Sequence, residues 1–237
     1  MEIRPLSVIV PAFNEALLIE RTIAELLEMT PRFVSKIIVI DDGSTDSTRN
    51  VLRDFAKKTS SIEILEHRFN QGFGAAIAAG LSRVDSGYVA WLPADGAIDP
   101  SALHLVDSIE ESVPVLFGFR NKRWVGRRRF VSGGVAIGVR VLFGVDLTNF
   151  SGFFVGDAGY LRRLNLVPQS TFFTWQVAIR SQMATGHLHK TEVPLRPSRN
   201  SERTSRAFRL PSLVKGMTEL LTLWVHIKIF RRMKPND

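Results

Sequence analysis

Four short segments carry residue types suited to binding a phosphorylated nucleoside, and each follows an apolar run. The first is Pro11-Ala12-Phe13-Asn14-Glu15, the second Asp41-Asp42-Gly43-Ser44-Thr45-Asp46. Adjacent carboxylates at one strand end repel each other, so either solvent or a ligand must offset them. When ionised they accept the hydrogen bonds that base N–H groups and ribose hydroxyls donate. A turn whose Asp and Ser residues cap a helix is the ordinary alternative; a further acidic turn downstream favours binding. The third segment, Asn70-Gln71-Gly72-Phe73-Gly74-Ala75-Ala76, places glycines where a helix opens and backbone N–H groups can approach phosphates. Tight helix packing is the other reason for glycine there. It is not a dinucleotide fingerprint, which belongs on the first strand–helix turn and would need Gly where Ile77 stands. The fourth, Pro93-Ala94-Asp95-Gly96, offers an acid able to hold a hard divalent cation bridging a diphosphate. In isolation it would read as a plain Asp-Gly turn.

The elements that must position these residues follow from hydrophobic periodicity. Short apolar runs predict strands at Leu6–Val10, Lys36–Ile40, Ile62–Leu65, Tyr88–Leu92 and Val115–Phe117. Helical stripes or helix-forming composition predict helices over Glu15–Met29, Thr45–Lys58 with Ser44 as N-cap, Gly72–Val84 and Pro100–Glu111. Such alternation with short connections specifies a mostly parallel sheet covered by helices on both faces. Folds of this kind bind ligands outside the carboxyl ends of their strands, which is where all four segments fall. The second half is less regular. Arg120–Arg129 reads as a basic loop, Phe130–Phe143 as glycine-rich and apolar, and Thr171–Ala184 as a helix. Glu192–Leu195 reads as a short strand, Pro197–Ser205 as a polar basic loop, and Leu210–Arg232 as a long amphipathic helix.

The chain has 237 residues, enough for one large domain or a domain with a C-terminal extension. Without cysteine it has neither a disulfide framework nor a thiolate metal site. Its formal charge of +8 favours a polyanionic partner. The excess concentrates in Arg120–Arg129, in Arg196–Arg209 and at Arg231, Arg232 and Lys234. The aromatic residues are not interleaved with these arginines as a nucleic-acid stacking platform requires, and acidic strand ends oppose that partner too. No signal peptide is read at the N-terminus. The best apolar stretches, Val131–Val145 and Leu213–Phe230, are interrupted by charge and fall short of the roughly 20 apolar residues of a membrane span.

Taken together, Val8–Glu15 (VIVPAFNE), Val39–Ser47 (VIDDGSTDS), Asn70–Gly80 (NQGFGAAIAAG) and Ala94-Asp95-Gly96 resemble family 2 glycosyltransferases of the GT-A fold. Dolichyl- and polyprenyl-phosphate sugar transferases are the most similar group. Gly118-Phe119-Arg120, Asp146-Leu147-Thr148, Ser151-Gly152-Phe153, Glu192-Val193-Pro194 and the basic loop Arg196–Arg206 extend the likeness over about residues 5–210. The resemblance implies an α/β GT-A (Rossmann-like) fold with a mixed, mostly parallel sheet. Residues 1–210 would form the glycosyltransferase domain and residues 211–237 the C-terminal amphipathic helix. It also implies site roles. Pro11, Phe13, Glu15 and Asp42 would contact the nucleoside, with Asp41 assisting. Ala94 and Asp95 would lie along the ribose and diphosphate, with Asp95 on Mg²⁺ or Mn²⁺. Arg120, Arg199 and Arg206 would face phosphates; Asp95 and Arg120 would be the catalytic pair. The sequence departs from the family at Pro93, where the first acid of Asp-x-Asp usually stands, and at Ala97, where a polar side chain often helps the metal. The basic loop also has one residue more than usual between Arg199 and Arg206, leaving Arg203 as the alternative to Arg206.

Transfer to a sugar hydroxyl needs a general base. Family members that act this way usually place an acidic pair near the helix read at Thr171–Ala184. The segment here is Phe172-Phe173-Thr174-Trp175-Gln176-Val177, with no acid. A phosphate monoester needs no base but does need cations. The expectation is therefore inverting transfer of a hexose from a nucleotide diphosphate sugar, of GDP-mannose or UDP-glucose type, to a polyprenyl or dolichyl phosphate. The enzyme would sit at the cytoplasmic face of the membrane. Leu213, Met217, Leu220, Leu221, Trp224, Ile227 and Phe230 fall roughly on one helical face, with Lys215, Lys228, Arg231 and Arg232 supplying cations. Such a helix can lie in a membrane interface, dock on a membrane partner or pack on its own domain. Two rivals stand beside this expectation: a transferase for saccharide acceptors with an outside acid such as Asp157 as base, and a catalytically silent nucleotide-sugar-binding subunit.

Overall fold

The computed structural model describes residues 5–30, 33–110, 112–121, 127–196 and 210–233. The predicted α/β alternation is present in the first half. Strands β1 (Leu6–Ala12), β2 (Val34–Asp41), β3 (Ile62–Glu66) and β4 (Tyr88–Trp91) are mutually parallel in the order β3-β2-β1-β4. Their β-branched centres, Val8–Val10 and Ile37–Ile40, are almost wholly removed from solvent, as expected for strands covered on both faces. Helices α1 (Ile19–Glu28), α2 (Thr48–Ala56) and α3 (Phe73–Leu81) make the connections. α1 buries Ile19, Thr22, Ile23 and Leu26, the i, i+3, i+4, i+7 stripe of a helix packed on a sheet.

Helix starts differ from the expectation for a local reason. α2 opens at Thr48, not Thr45, and Ser44 is not its cap. The Ser44 hydroxyl accepts the Asn14 N–H at 3.0 Å, and the Thr45 N–H donates to Asn14 Oδ1 at 2.8 Å. Those residues therefore tie the two turns together and are unavailable to a helix. Likewise Glu15–Leu18 form a turn before α1. Pro100–Ser108 closes as a 3-10 helix, capped by Asp99, whose side chain accepts the Ser101 N–H.

The second half inverts one strand. β5 (Val115–Phe119) and β6 (Phe150–Asp157) pair antiparallel, β6 also pairs antiparallel with β4, and the edge strand β7 (His189–Glu192) runs parallel to β5. The full order is β3-β2-β1-β4-β6-β5-β7. β6 escapes a hydrophobic-pattern search because Gly152 and Gly156 interrupt it. A Cβ at Gly156 would lie 2.7 Å from the Pro114 carbonyl and from Val115, so close strand approach demands the glycine. Glu192–Leu195 was expected as the strand, but β7 ends at Glu192. Pro194 has no N–H for a ladder, and Leu195 makes only an isolated bridge with Ile98. Four more helices follow in chain order: α4 (Arg127–Phe143), α5 (Ala158–Arg163), α6 (Phe173–Thr185) and α7 (Leu210–Met233). The glycine-rich stretch Phe130–Phe143 thus lies inside a helix, and it packs against α7. Leu220 and Leu223 of α7 join the same buried cluster as β1 and β2.

Candidate active site

The four motifs converge because β1, β2, β3 and β4 end at the same edge of the sheet. β1 pairs with β2 up to Ala12 opposite Asp41, and the Asp42 N–H donates to the Ala12 carbonyl at 2.8 Å. On the other side of β1, the Leu92 N–H donates to Ile9 O, and the Thr22 hydroxyl donates to the Ala94 carbonyl at 2.9 Å. The turns carrying Phe13, Asp42 and Asp95 are thereby held side by side. A cavity of about 560 Å³ opens beside the first two, lined by Pro11, Phe13, Asp42, Gly72, Phe73 and the segment Pro168–Thr171, among others; Ala94, Asp95 and Arg120 are not in its lining. The Phe73 ring meets Trp91 edge-on at 4.8 Å, closing one side with aromatic surface.

The two adjacent acids have different surroundings. Asp41 is fully buried, pairs with Arg49 Nε at 2.9 Å, accepts the Ser44 N–H at 2.8 Å, and does not line the cavity. Asp42 does line it, yet it also organises the third motif. Its Oδ1 meets His67 Nδ1 at 2.7 Å and accepts the Gln71 N–H at 2.9 Å, while Oδ2 accepts the Gly72 N–H at 2.8 Å. An ionised carboxylate only accepts, so the His67 tautomer here carries its proton on Nδ1. Within the glycine motif, the N–H groups of Gln71 and Gly72 are therefore taken by Asp42. Gly72 has φ of +95°, with nothing near a hypothetical Cβ, so its requirement is backbone conformation. Gly74 is required for packing, since a Cβ would meet Phe173 Cβ at 2.8 Å.

Glu15 is half-buried, its N–H bonded to Thr48 Oγ1 at 2.9 Å, and it stands beyond the cavity lining. Ala94 is buried. Asp95 is half-buried and its Oδ1 accepts the Ala97 N–H at 3.0 Å inside a turn that Gly96 closes at φ +66°. Arg120 follows β5, half-buried, its N–H donating to Asn149 O at 2.9 Å. Arg199, Arg203 and Arg206 lie outside the described residues. The chain enters that segment beside Asp95: the Arg196 N–H donates to Ala97 O at 3.0 Å, and its guanidinium pairs with Asp99 at 2.7 Å and Glu25 at 2.6 Å. Burial works to raise the Glu25 and Asp99 carboxyls. Hydrogen bonds outweigh it and hold both below their ordinary values, from Arg21 and Arg196 on Glu25 and from Ser101 and Arg196 on Asp99.

Sequence reasoning missed His67, Arg196 and the Pro168–Thr171 wall. His67 was findable, because it directly follows β3 and so occupies the same strand-end position as the other motifs. The wall was not, since nothing local marks it as facing Asp42. Among the described residues no group of three His, Asp or Glu side chains gathers to hold a metal ion. The donor set fits a divalent cation only as a shared ligand. Asp95 supplies one carboxylate, Pro93 none, and a diphosphate and water would complete the shell, as Mg²⁺ readily permits.

The sheet order and the cavity at the carboxyl ends define an α/β fold of the GT-A type. Solved structures share it. Glucosyl-3-phosphoglycerate synthase from Mycobacterium tuberculosis, determined with Mn²⁺, UDP and phosphoglyceric acid, matches with a TM-score of 0.72 at 20% identity, over 93% of this chain and 78% of that one. A mannosyltransferase from Pyrobaculum calidifontis, determined with GDP-Man and Mn²⁺, matches with a TM-score of 0.65 at 20% identity, over 94% of this chain and 65% of that one. The chain belongs to glycosyl transferase family 2, whose model matches residues 7–164. Among curated relatives, a dolichyl-phosphate beta-glucosyltransferase of Trichomonas vaginalis is 37% identical over 99 residues, 39% of this chain and 31% of that protein. An undecaprenyl-phosphate mannosyltransferase of Micrococcus luteus is 25% identical over 198 residues, 79% of this chain and 81% of that protein. The match spans about a third of the length of the dolichyl-phosphate glucosyltransferases it resembles.

Proposed function

We propose that this chain transfers a hexose from a nucleotide diphosphate sugar, of GDP-mannose or UDP-glucose type, to a polyprenyl or dolichyl phosphate, with inversion at the anomeric carbon. The observation that carries the acceptor choice is that, among the described residues, the start of α6 offers no available carboxylate. Phe172–Val177 contains no acid. The carboxylate that α7 brings to this region, Glu219, accepts hydrogen bonds from Ser170 Oγ, Thr171 N and Thr171 Oγ1, which hold it in place as a structural group. Asp157, an example of the outside base a saccharide acceptor would require, pairs with Tyr88 at the amino end of β4 and caps α5. It stands at least roughly 10 Å from the cavity edge of the sheet, counting three strand rises to Trp91. A phosphate acceptor needs neither residue, because its oxygen is already anionic.

The donor's nucleoside would occupy the cavity between Phe13 and Pro168–Thr171, with Asp42 accepting from it on the face left open by His67 and Gly72. Asp95 would sit along the diphosphate. A divalent cation bound there would neutralise charge developing on the leaving nucleoside diphosphate. Arg120, Arg199 and Arg206 would hold donor and acceptor phosphates in line and lower their mutual repulsion. The sugar donors and Mn²⁺ bound in the solved neighbours support the donor class and the cation; the lipid-phosphate transferases among the relatives support the acceptor class.

Residues 211–237 would hold the protein at the cytoplasmic face of a membrane. No helix among the described residues is long and apolar enough to cross one. α7 instead exposes Val214, Met217, Leu221 and Val225, a single stripe, and α4 exposes Ile137 and Val141. Cations accompany both helices, with Arg140 exposed on α4 and Lys215, Lys228, Arg231 and Arg232 in the sequence of α7. Such surfaces suit the interface of an anionic bilayer. The deciding experiment incubates purified protein and Mn²⁺ with labelled nucleotide sugars, offering polyprenyl phosphate or free saccharides. Label should enter the lipid phase. Transfer to saccharides with none to any prenyl phosphate would overturn the assignment.

A further inference from the structure

Helix α7 reaches the cavity wall through Glu219. On its inner face Gly216, Leu220 and Leu223 are buried, and a Cβ at Gly216 would collide with the Phe172 ring, so the helix seats directly on the start of α6. From that face the Glu219 carboxylate accepts the Ser170 hydroxyl at 3.0 Å and the Thr171 N–H at 2.8 Å on one oxygen, and the Thr171 hydroxyl at 3.4 Å on the other. The Ser170 hydroxyl in turn accepts the Phe172 N–H at 3.1 Å. Ser170 and Thr171 line the cavity opposite Phe13 and Asp42. The wall of the nucleotide cavity is thus pinned by a residue of the same helix whose outer stripe, Val214, Met217, Leu221 and Val225, is 42–59% exposed.

We propose that Glu219 is a positioning residue that couples the seating of α7 on an anionic lipid surface to nucleotide binding. The inference rests on the membrane reading given above. Glu219 stands two positions along the helix from Met217 and two from Leu221, so whatever fixes the stripe fixes the carboxylate. The carboxylate in turn fixes Ser170 and Thr171. A lipid surface that binds the arrangement with the wall in place more tightly than others favours that arrangement, and a nucleotide does the same from the cavity side. Coupling of this kind is reciprocal: each ligand must tighten the other by the same factor, typically five- to 150-fold.

The test uses the full chain, vesicles of acidic or neutral phospholipid, and UDP and GDP as probes. Nucleotide affinity is measured by calorimetry with and without vesicles, and vesicle affinity by co-sedimentation with and without nucleotide. Acidic vesicles should tighten binding of the preferred nucleotide about tenfold, and that nucleotide should tighten vesicle binding by an equal factor. Glu219→Ala should still bind vesicles, with both factors below about twofold. Glu219→Gln, which keeps an acceptor for the Thr171 N–H, should retain most of the coupling. Should Glu219→Ala fail to fold, Thr171→Val, which removes only the hydroxyl, should give an intermediate loss. Vesicles that bind but leave nucleotide affinity unchanged overturn the coupling while sparing the membrane reading. Vesicles that do not bind the parent chain overturn both. Equal coupling in Glu219→Ala and the parent removes Glu219 from the role.

Discussion

Replacing Asp42 by Asn tests whether that residue serves the ligand, the scaffold or both. The carboxylate accepts from two donors on Oδ1, His67 Nδ1 and the Gln71 N–H, and from the Gly72 N–H on Oδ2. An amide has one acceptor oxygen. With that oxygen in the Oδ1 place, the NH₂ confronts the Gly72 N–H. With it in the Oδ2 place, His67 can change tautomer and accept, but the Gln71 N–H is left facing a donor. Either way at least one bond from a backbone N–H to a charged acceptor is lost, worth roughly 1.5–3 kcal/mol. Asp42 is 4% exposed, so water replaces that bond poorly. For a chain of this size the loss corresponds to a fall in melting temperature of roughly 3–12 °C. Nucleotide affinity should also fall by about one to two decades, because the 70–74 segment lining the cavity loses its anchor. Thermal unfolding and calorimetry with UDP and GDP read the two effects separately. An unchanged melting temperature would refute the scaffold role; unchanged affinity in a folded variant would refute the site.

Three further outcomes are expected. Activity of the parent should fall in excess chelator, and Asp95→Ala should lose most of it; full activity of Asp95→Ala under chelation would exclude a metal role for that residue. Arg199→Ala should depress transfer to polyprenyl phosphate by about one to two decades through loss of a charge-assisted contact of roughly 1.5–3 kcal/mol, with nucleotide affinity little changed, and an equal effect on both would count against the acceptor role. Glu25 and Asp99 titrate below their ordinary values in the folded chain, so their ties to Arg196 contribute stability in full above the unfolded carboxylate values and lose it as pH falls through the folded ones. Arg196→Gln should accordingly flatten the acid-side stability curve below about pH 4.5, measured by denaturant unfolding across pH, and an unchanged slope would show that the cluster does not set it.

The first half of the fold was legible because Val8–Val10 and Ile37–Ile40 are uninterrupted β-branched runs, buried as strands covered on both faces must be. β6 was not, since Ser151, Gly152 and Gly156 break its pattern for reasons that exist only in three dimensions: the Ser151 hydroxyl donates to the Gly118 carbonyl, Gly152 has φ of +86°, and Gly156 lies too close to Pro114 and Val115 for a side chain. β7 was displaced because His189–Glu192 is a polar edge strand, whose pairing comes from backbone rather than apolar pattern. At the site, Phe13, Asp42 and Gly72 line one cavity, while Asp95 follows the neighbouring strand outside that lining. What the sequence could not disclose is the long-range pairing of carboxylates with their partners. Arg49 on Asp41 and His67 on Asp42 are separated in the chain by eight and 25 positions. The link from Glu219 to Thr171 spans 48.

Those partners bear on how an acidic strand edge can accept an anionic substrate. Two like charges about 4 Å apart repel by roughly 4 kcal/mol near a protein surface, so bare carboxylates at β1, β2 and β4 would oppose a diphosphate. The structure grades them. Asp41 is neutralised by Arg49 and turned away, and Asp42 is saturated on Oδ1 by His67 and a backbone N–H. Asp95 carries one backbone hydrogen bond and remains the acid a cation would engage. The missing partner at Pro93 removes one negative charge from the place where donor and acceptor phosphates would meet. The chain then turns, at Arg196 beside Ala97, into its arginine-rich segment. That lower negative charge suits the proposed phosphate acceptor, which needs cations rather than a base.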